Sequence, residues 1–201
     1  MKKFAVFASG NGSNFEAIVT RIKEENWDAS VSLLVCDKPQ AKVIERAETH
    51  QIPSFAFEPK SYENKAAFER AIIEQLHLHD VEMIILAGYM RLIGDTLLQA
   101  YGGKIINIHP SLLPAFPGID AVGQAYRAGV KVAGITVHYV DKGMDTGPII
   151  AQKAIEIDES DTLETIEQQI QKLEHKWYPS VIKQLLGLNN RGEKAWPLNV
   201  H

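Results

Sequence analysis

Short apolar runs alternate with helically spaced apolar positions through the first half of the chain. Residues 4–8 (Phe-Ala-Val-Phe-Ala) form a continuous apolar run, the pattern of a strand buried on both faces. Phe15, Ile18, Val19 and Ile22 then recur at the spacing of one helix face, with charges between them. The alternation continues with a strand over 31–36, a helix over 41–50 and a short strand over 55–57, fenced by Pro53 and Pro59. A longer helix over 62–78 carries Phe68, Ile72 and Leu76 on one face, and residues 81–87 and 104–109 give two more strands. This βαβα order implies a parallel sheet with helices on both sides.

The second half changes character. Residues 132–140 and 149–157 read as strands joined by the loop 141–148, which has no room for a crossover helix. That pair is expected to be antiparallel, making the sheet mixed. Asp161 opens a further helix with Glu164 as its capping-box partner, and Leu163, Ile166, Ile170, Leu173 and Trp177 form its apolar stripe. Pro179 is expected to kink or restart that helix. With no linker-like stretch and no repeat, residues 1–201 are expected to form a single α/β domain. Its sheet is Rossmann-like, mostly parallel with an antiparallel carboxyl-terminal pair, and carries helices on both faces.

Charge and cysteine content narrow the function classes. Lys and Arg number 21 against 25 Asp and Glu, a net charge of −4, which is a poor basis for gripping a phosphodiester backbone. Cys36 is the only cysteine, so an internal disulfide and a Cys-based zinc site are excluded and a reducing compartment is the default. Met1-Lys2-Lys3 ahead of an apolar run looks like the start of a signal peptide, but Ser9-Gly10-Asn11-Gly12 breaks the run at once. No apolar stretch approaches a membrane span. The expectation is a cytoplasmic protein without an anchor.

Three segments could carry chemistry. Ser9-Gly10-Asn11-Gly12-Ser13-Asn14 lies between the first strand and the first helix, where glycines allow close backbone approach and free N–H groups favour an anion. The alternative is a tight turn with Ser13 or Asn14 as the N-cap. Phe15 stands where a dinucleotide fingerprint wants a third glycine, and no Gly-Lys-Ser/Thr follows, so a phosphate monoester fits better than a dinucleotide. In Lys104-Ile105-Ile106-Asn107-Ile108-His109-Pro110, Asn107 and His109 share one face of a strand that Pro110 ends. There, at the carboxyl end of a parallel strand, an amide donor and an imidazole could hold an oxyanion and manage a proton. Asp145, in the glycine-bounded loop 141–148, reads as an Asx-turn residue or as a carboxylate that keeps the His109 imidazole charged. Gln171 and Glu174 lie one turn apart on the late helix and could hold hydroxyls or an amine, or form a solvated face. Gly88-Tyr89-Met90-Arg91-Leu92-Ile93 follows a strand end and could wall a planar ligand or start a turn. The histidines include no metal cluster, and most are uninformative.

Taken in order, Gly10-Asn11-Gly12-Ser13-Asn14, Ala87-Gly88-Tyr89-Met90-Arg91, Asn107-Ile108-His109-Pro110-Ser111-Leu112-Leu113-Pro114 and Asp145-Thr146-Gly147-Pro148 resemble the phosphoribosylglycinamide formyltransferase family. The resemblance spans essentially the whole chain. It implies the formyltransferase fold, small-molecule substrates, 10-formyltetrahydrofolate as cosubstrate, no metal, and a monomer or homodimer without nucleic-acid or membrane partners. It assigns Asn107, His109 and Asp145 as the catalytic trio. Gly12, Ser13 and Asn14 would bind the phosphate of glycinamide ribonucleotide, with Gln171 and Glu174 farther along that substrate. Met90, Arg91, Leu92 and Ile93, with Asp141, Lys142, Gly143, Met144 and Asp145, would frame the pteridine beside Asn107. Lys65 stands where the family often has an arginine near the folate's glutamate tail, and a lysine cannot form a bidentate carboxylate clamp.

The implied reaction is direct attack of the glycinamide amine on the formyl carbon, with Asn107 and protonated His109 stabilising the oxyanion. Three other readings compete. A methionyl-tRNA formyltransferase would be expected to carry an added domain and a basic surface, and a formyltetrahydrofolate hydrolase an extra regulatory domain. A non-catalytic mononucleotide-binding module would need only the phosphate turn.

Overall fold

The computed structural model describes residues 1–188. Its first half follows the apolar pattern: β1 (Lys2–Ala8), α1 (Ser13–Glu24), β2 (Ala29–Cys36), α2 (Lys42–Thr49), β3 (Ser54–Ala56), α3 (Lys65–Leu78), β4 (Met83–Leu86), α4 (Asp95–Tyr101) and β5 (Ile105–His109). The second half adds α5 (Ala121–Ala128), β6 (Val132–Tyr139), β7 (Ile149–Glu156) and α6 (Leu163–Leu185). Seven strands form one sheet in the order β3-β2-β1-β4-β5-β6-β7. The five from β3 to β5 are parallel. β6 runs antiparallel to both β5 and β7, so two antiparallel pairings are present rather than the one read from the loop length.

Two apolar layers sandwich the sheet. Phe4, Val6 and Ala8 face a layer with α1, α2 and α6 through Phe15, Val43, Ile166, Ile170 and Tyr178. Ala5 and Phe7 face α3 and α4 through Phe68, Ile72, Leu76 and Leu97. β1 is buried on both faces, which is why its sequence is apolar without alternation. Strand order reverses on either side of β1, so the carboxyl ends of β1 and β4 form the crevice where open α/β sheets bind ligands.

Several local expectations are corrected. α3 begins at Lys65, capped by the Asn64 side chain, rather than at residue 62, and a separate 3-10 turn (Pro59–Ser61) precedes it. α6 is capped by Thr162 rather than Asp161: Thr162 and Thr165 exchange the capping-box bonds, and Glu164 has no part in them. Asp161 instead accepts from Thr165 Oγ1 and Gln169 Nε2. α6 runs through Pro179 without restarting, because that ring is buried beside Tyr178 and Val181, where packing offsets the missing N–H. α4 and α5 were not anticipated. Both are short, and α5 starts after Asp120 in the left-handed region, a start that apolar spacing does not mark.

Candidate active site

A cavity of about 530 Å³ opens at the carboxyl ends of β4 and β5. Strand parity decides what enters it. Ile106 and Ile108 pack into the layer of α1 and α6, so Asn107 and His109 point the other way and line the cavity. His109 is almost completely buried, and both its ring nitrogens face acceptor oxygens: Nε2 lies 2.9 Å from the Phe116 carbonyl and Nδ1 3.4 Å from Asp145 Oδ2. Two acceptors at two ring nitrogens suit an imidazolium, which donates from both.

A buried polar knot shapes the loop that brings Phe116 to His109. Thr136 Oγ1 donates to the Ser111 carbonyl at 2.7 Å and accepts from Leu113 N at 3.0 Å and Gln152 Nε2 at 2.9 Å. Gln152 Nε2 also reaches the Leu113 carbonyl at 2.8 Å, and Ser111 Oγ donates to the Ala115 carbonyl. With these groups satisfied inside, the turn holds Phe116 in the left-handed region with its carbonyl toward the imidazole.

Asp145 is not an Asx-turn residue. Its Oδ2 accepts from Gly118 N at 2.8 Å, across 27 residues, and its backbone is left-handed at φ 57°. The turn role belongs to Asp141, whose Oδ1 accepts from Gly143 N at 3.0 Å and Thr146 Oγ1 at 2.7 Å. A left-handed backbone at a partly buried carboxylate facing a histidine is a pattern found at functional sites.

Sequence reasoning missed His138. In the β5–β6 register it stands opposite Asn107, and Thr136 stands opposite His109. His138 Nδ1 donates to the Tyr139 carbonyl at 2.8 Å, leaving the Nε2 lone pair to accept from Asn107 Nδ2 at 3.3 Å. Burial pushes the His138 pKa down, against the pull of the Tyr139 carbonyl and Asp145, and so favours the neutral imidazole. The signal was available, since Thr136 and His138 share a face of a strand beside β5, but it needed the β5–β6 pairing.

On the other wall, Gly12 caps α1 with a left-handed backbone and no side-chain cap. Ser13 and Asn14 are therefore inside the helix, and the capping role considered for them is not realised. Their backbone N–H groups are left at the helix start, where an anion is favoured. Asn14 lines the cavity, donates from Nδ2 to Glu174 Oε2 at 3.0 Å, and has a buried Oδ1 without a hydrogen-bond partner. Burial pushes the Glu174 carboxyl up to about 7, with the Asn14 bond opposing. Gln171 is exposed and its Nε2 lies 3.4 Å from Ser13 Oγ. Ser13 also borders a shallower cleft of about 350 Å³ with Arg46 and His175.

The remaining predicted residues divide. Met90, Arg91, Leu92, Ile93, Asp141, Gly143 and Met144 line the main cavity. Lys142 does not; it points away to pair with Asp95 at 2.9 Å. Lys65 is exposed outside the cavity, its Cε beside Gly94. Cys36 is fully buried, and burial pushes its thiol pKa up, as packing requires. Among the described residues, no helix is long and apolar enough to cross a membrane.

The chain's likenesses agree with this geometry. The formyl transferase family matches residues 2–182. A phosphoribosylglycinamide formyltransferase of Bacillus subtilis (strain 168) is 92% identical over 195 residues, covering 97% of this chain and 100% of that protein. The crystal structure of glycinamide ribonucleotide transformylase 1 from Geobacillus kaustophilus is 59% identical, with a TM-score of 0.90 over 93% of this chain and 100% of that one. The crystal structure of phosphoribosylglycinamide formyltransferase from Bacillus halodurans is 52% identical, with a TM-score of 0.89 over the whole of both chains.

Proposed function

The chain belongs to the formyl transferase family, within it to the phosphoribosylglycinamide formyltransferases, and from that membership we propose that it moves a formyl group from 10-formyltetrahydrofolate to the amine of glycinamide ribonucleotide. The observation that carries the reading is convergence. Asn107, His109 and Asp145 meet in one cavity, between a wall suited to a planar donor (Met90 to Ile93, Asp141, Gly143 and Met144) and a wall suited to a phosphorylated acceptor (Asn14 and Glu174).

The acceptor's phosphate sits at the start of α1, on the backbone of Gly12, Ser13 and Asn14. Gln171, Glu174 and the unpartnered Asn14 Oδ1 meet its hydroxyls and amide. The amine nitrogen attacks the formyl carbon and the carbonyl electrons move onto oxygen, giving a tetrahedral intermediate. The second hydrogen of the Asn107 amide, the one not given to His138, donates to that oxyanion. His109 donates from Nδ1, whose 3.4 Å contact with Asp145 is the looser of its two and is shared with the incoming oxygen. Collapse breaks the carbon–N10 bond of the folate, and the proton lost by the amine travels by way of His109 to N10. Asp145 holds the imidazole oriented and favours its charged form, which gives a proton to N10 and is restored by the proton the amine loses. Holding both substrates side by side supplies much of the remaining acceleration.

The test is appearance of tetrahydrofolate from 10-formyltetrahydrofolate, with and without glycinamide ribonucleotide. Release only with the ribonucleotide, with formylated acceptor in equal amount, supports the reading. Release without it makes the protein a hydrolase, and none in either case makes it a binding module.

A further inference from the structure

Asp37 follows β2, and its carboxylate is only 2% exposed, a costly placement for a charge unless both oxygens are engaged. Ser9 Oγ donates to Oδ1, and Arg91 Nε donates to Oδ2 at 2.7 Å. The same Ser9 hydroxyl accepts from Met90 N at 2.9 Å. One buried carboxylate thus fixes both the backbone at Met90 and the side chain of Arg91, adjacent residues of the cavity wall. Asp37 does not itself line the cavity.

We propose that Asp37 is a positioning residue for the formyl donor, holding the Arg91 guanidinium through Nε so that its Nη edge faces a planar heterocycle with acceptor atoms; this rests on the formyl-transfer reading above. With Nε held, Nη1 and Nη2 make no hydrogen bond to the described residues, while the Arg91 side chain is 41% exposed at the cavity wall. A guanidinium anchored on one edge is a preorganised planar donor, and a loose arginine would have to be ordered by the ligand at a cost in affinity. The acceptor turn beside Ser9 is held by other contacts. Gly10 O accepts from Val43 N at 3.1 Å, and Asn11 is clamped by Arg46 through its backbone O at 2.8 Å and its Oδ1 at 3.0 Å. Loss of the Asp37 charge therefore acts on the donor and not on the acceptor.

The experiment is steady-state kinetics of full-length Asp37→Asn, varying 10-formyltetrahydrofolate and glycinamide ribonucleotide separately. The donor KM rises about tenfold, as for loss of a hydrogen bond to a charged group, while kcat and the acceptor KM stay within about twofold of wild type. In an Arg91→Met background, Asp37→Asn raises the donor KM by no more than about threefold, the share carried by the Met90 tether. A general structural role would instead move both KM values and kcat together, and that result overturns the proposal, as does an unchanged donor KM. If Asp37→Asn does not fold, Ser9→Ala removes the Met90 tether and the bond to Asp37 Oδ1 while leaving the Arg91–Asp37 pair in place. A donor-only rise of about threefold then supports the proposal, and an equal change for both substrates overturns it. Absence of any transfer by the wild-type protein overturns the formyl-transfer reading and this inference with it; normal wild-type transfer with an unaffected Asp37→Asn overturns only the role of Asp37.

Discussion

Asn107 has two amide hydrogens, and His138 takes one of them. Nδ1 of His138 is committed to the Tyr139 carbonyl, and in the neutral ring that burial favours, Nε2 accepts. That contact decides which way the amide turns. Replacing His138 with Phe frees Asn107 to flip, so kcat should fall about tenfold or more with little change in either KM; an unchanged kcat would separate His138 from the amide's orientation. Glu174 makes a second residue-level prediction, in stability. Its carboxyl has an ordinary value of 4.5 and is pushed up to about 7 in the folded protein. Between these values the folded state keeps a proton that the unfolded chain has released, so this group's stabilisation is complete below about pH 4.5 and is lost as pH rises through about 7. Glu174→Gln removes that slope. Its Tm relative to wild type should rise across the window, by the equivalent of about 1–3 kcal/mol at the top, and a pH-independent difference would contradict the assignment.

The start of α1 brings element-scale consequences. Gly12 has φ +77°, and an added Cβ would lie 2.4 Å from Val43 Cγ2 and 2.7 Å from its Cβ. Gly12→Ala should cost about 1–3 kcal/mol and raise the acceptor KM more than the donor KM. Adding Val43→Ala should recover the clash but not the backbone strain, and full recovery by the double variant would show that the left-handed conformation is not needed. The order of elements was legible in the sequence because β1, β2 and β4 are buried by helices and carry apolar runs, interrupted in β2 only by Ser30 and Ser32. Asn107 and His109 were legible from strand parity and Pro110. Asp145 was legible only as one of two roles, because the bond that excludes the turn role comes from Gly118, across 27 residues. His138 was hidden because its function depends on which strand lies beside β5. α4 and α5 escaped because a helix of two turns carries little periodicity.

At the scale of the whole molecule, the site exists because strand order reverses beside β1 and because β6 runs back against β5. The reversal puts the first turn of α1, through Asn14, and the segment after β4 around one crevice. The antiparallel return brings His138 opposite Asn107, and the loop from β6 to β7 delivers Asp145 to His109. The proposed acceptor wall, donor wall and reacting groups thus come from different parts of the chain and meet along one end of the sheet. The charge of −4 is compatible with the small anionic acceptor proposed above, whose phosphate would be met locally by backbone N–H groups at a helix start.

The most direct test of the trio is the single-turnover rate of formyl transfer by Asp145→Asn with both substrates saturating. Asparagine keeps the shape but removes the charge facing His109 Nδ1. The predicted result is a chemical step slowed about a hundredfold or more, with Tm close to wild type. A single-turnover rate near that of wild type would contradict the account, leaving Asp145 a loop residue and the trio incorrect.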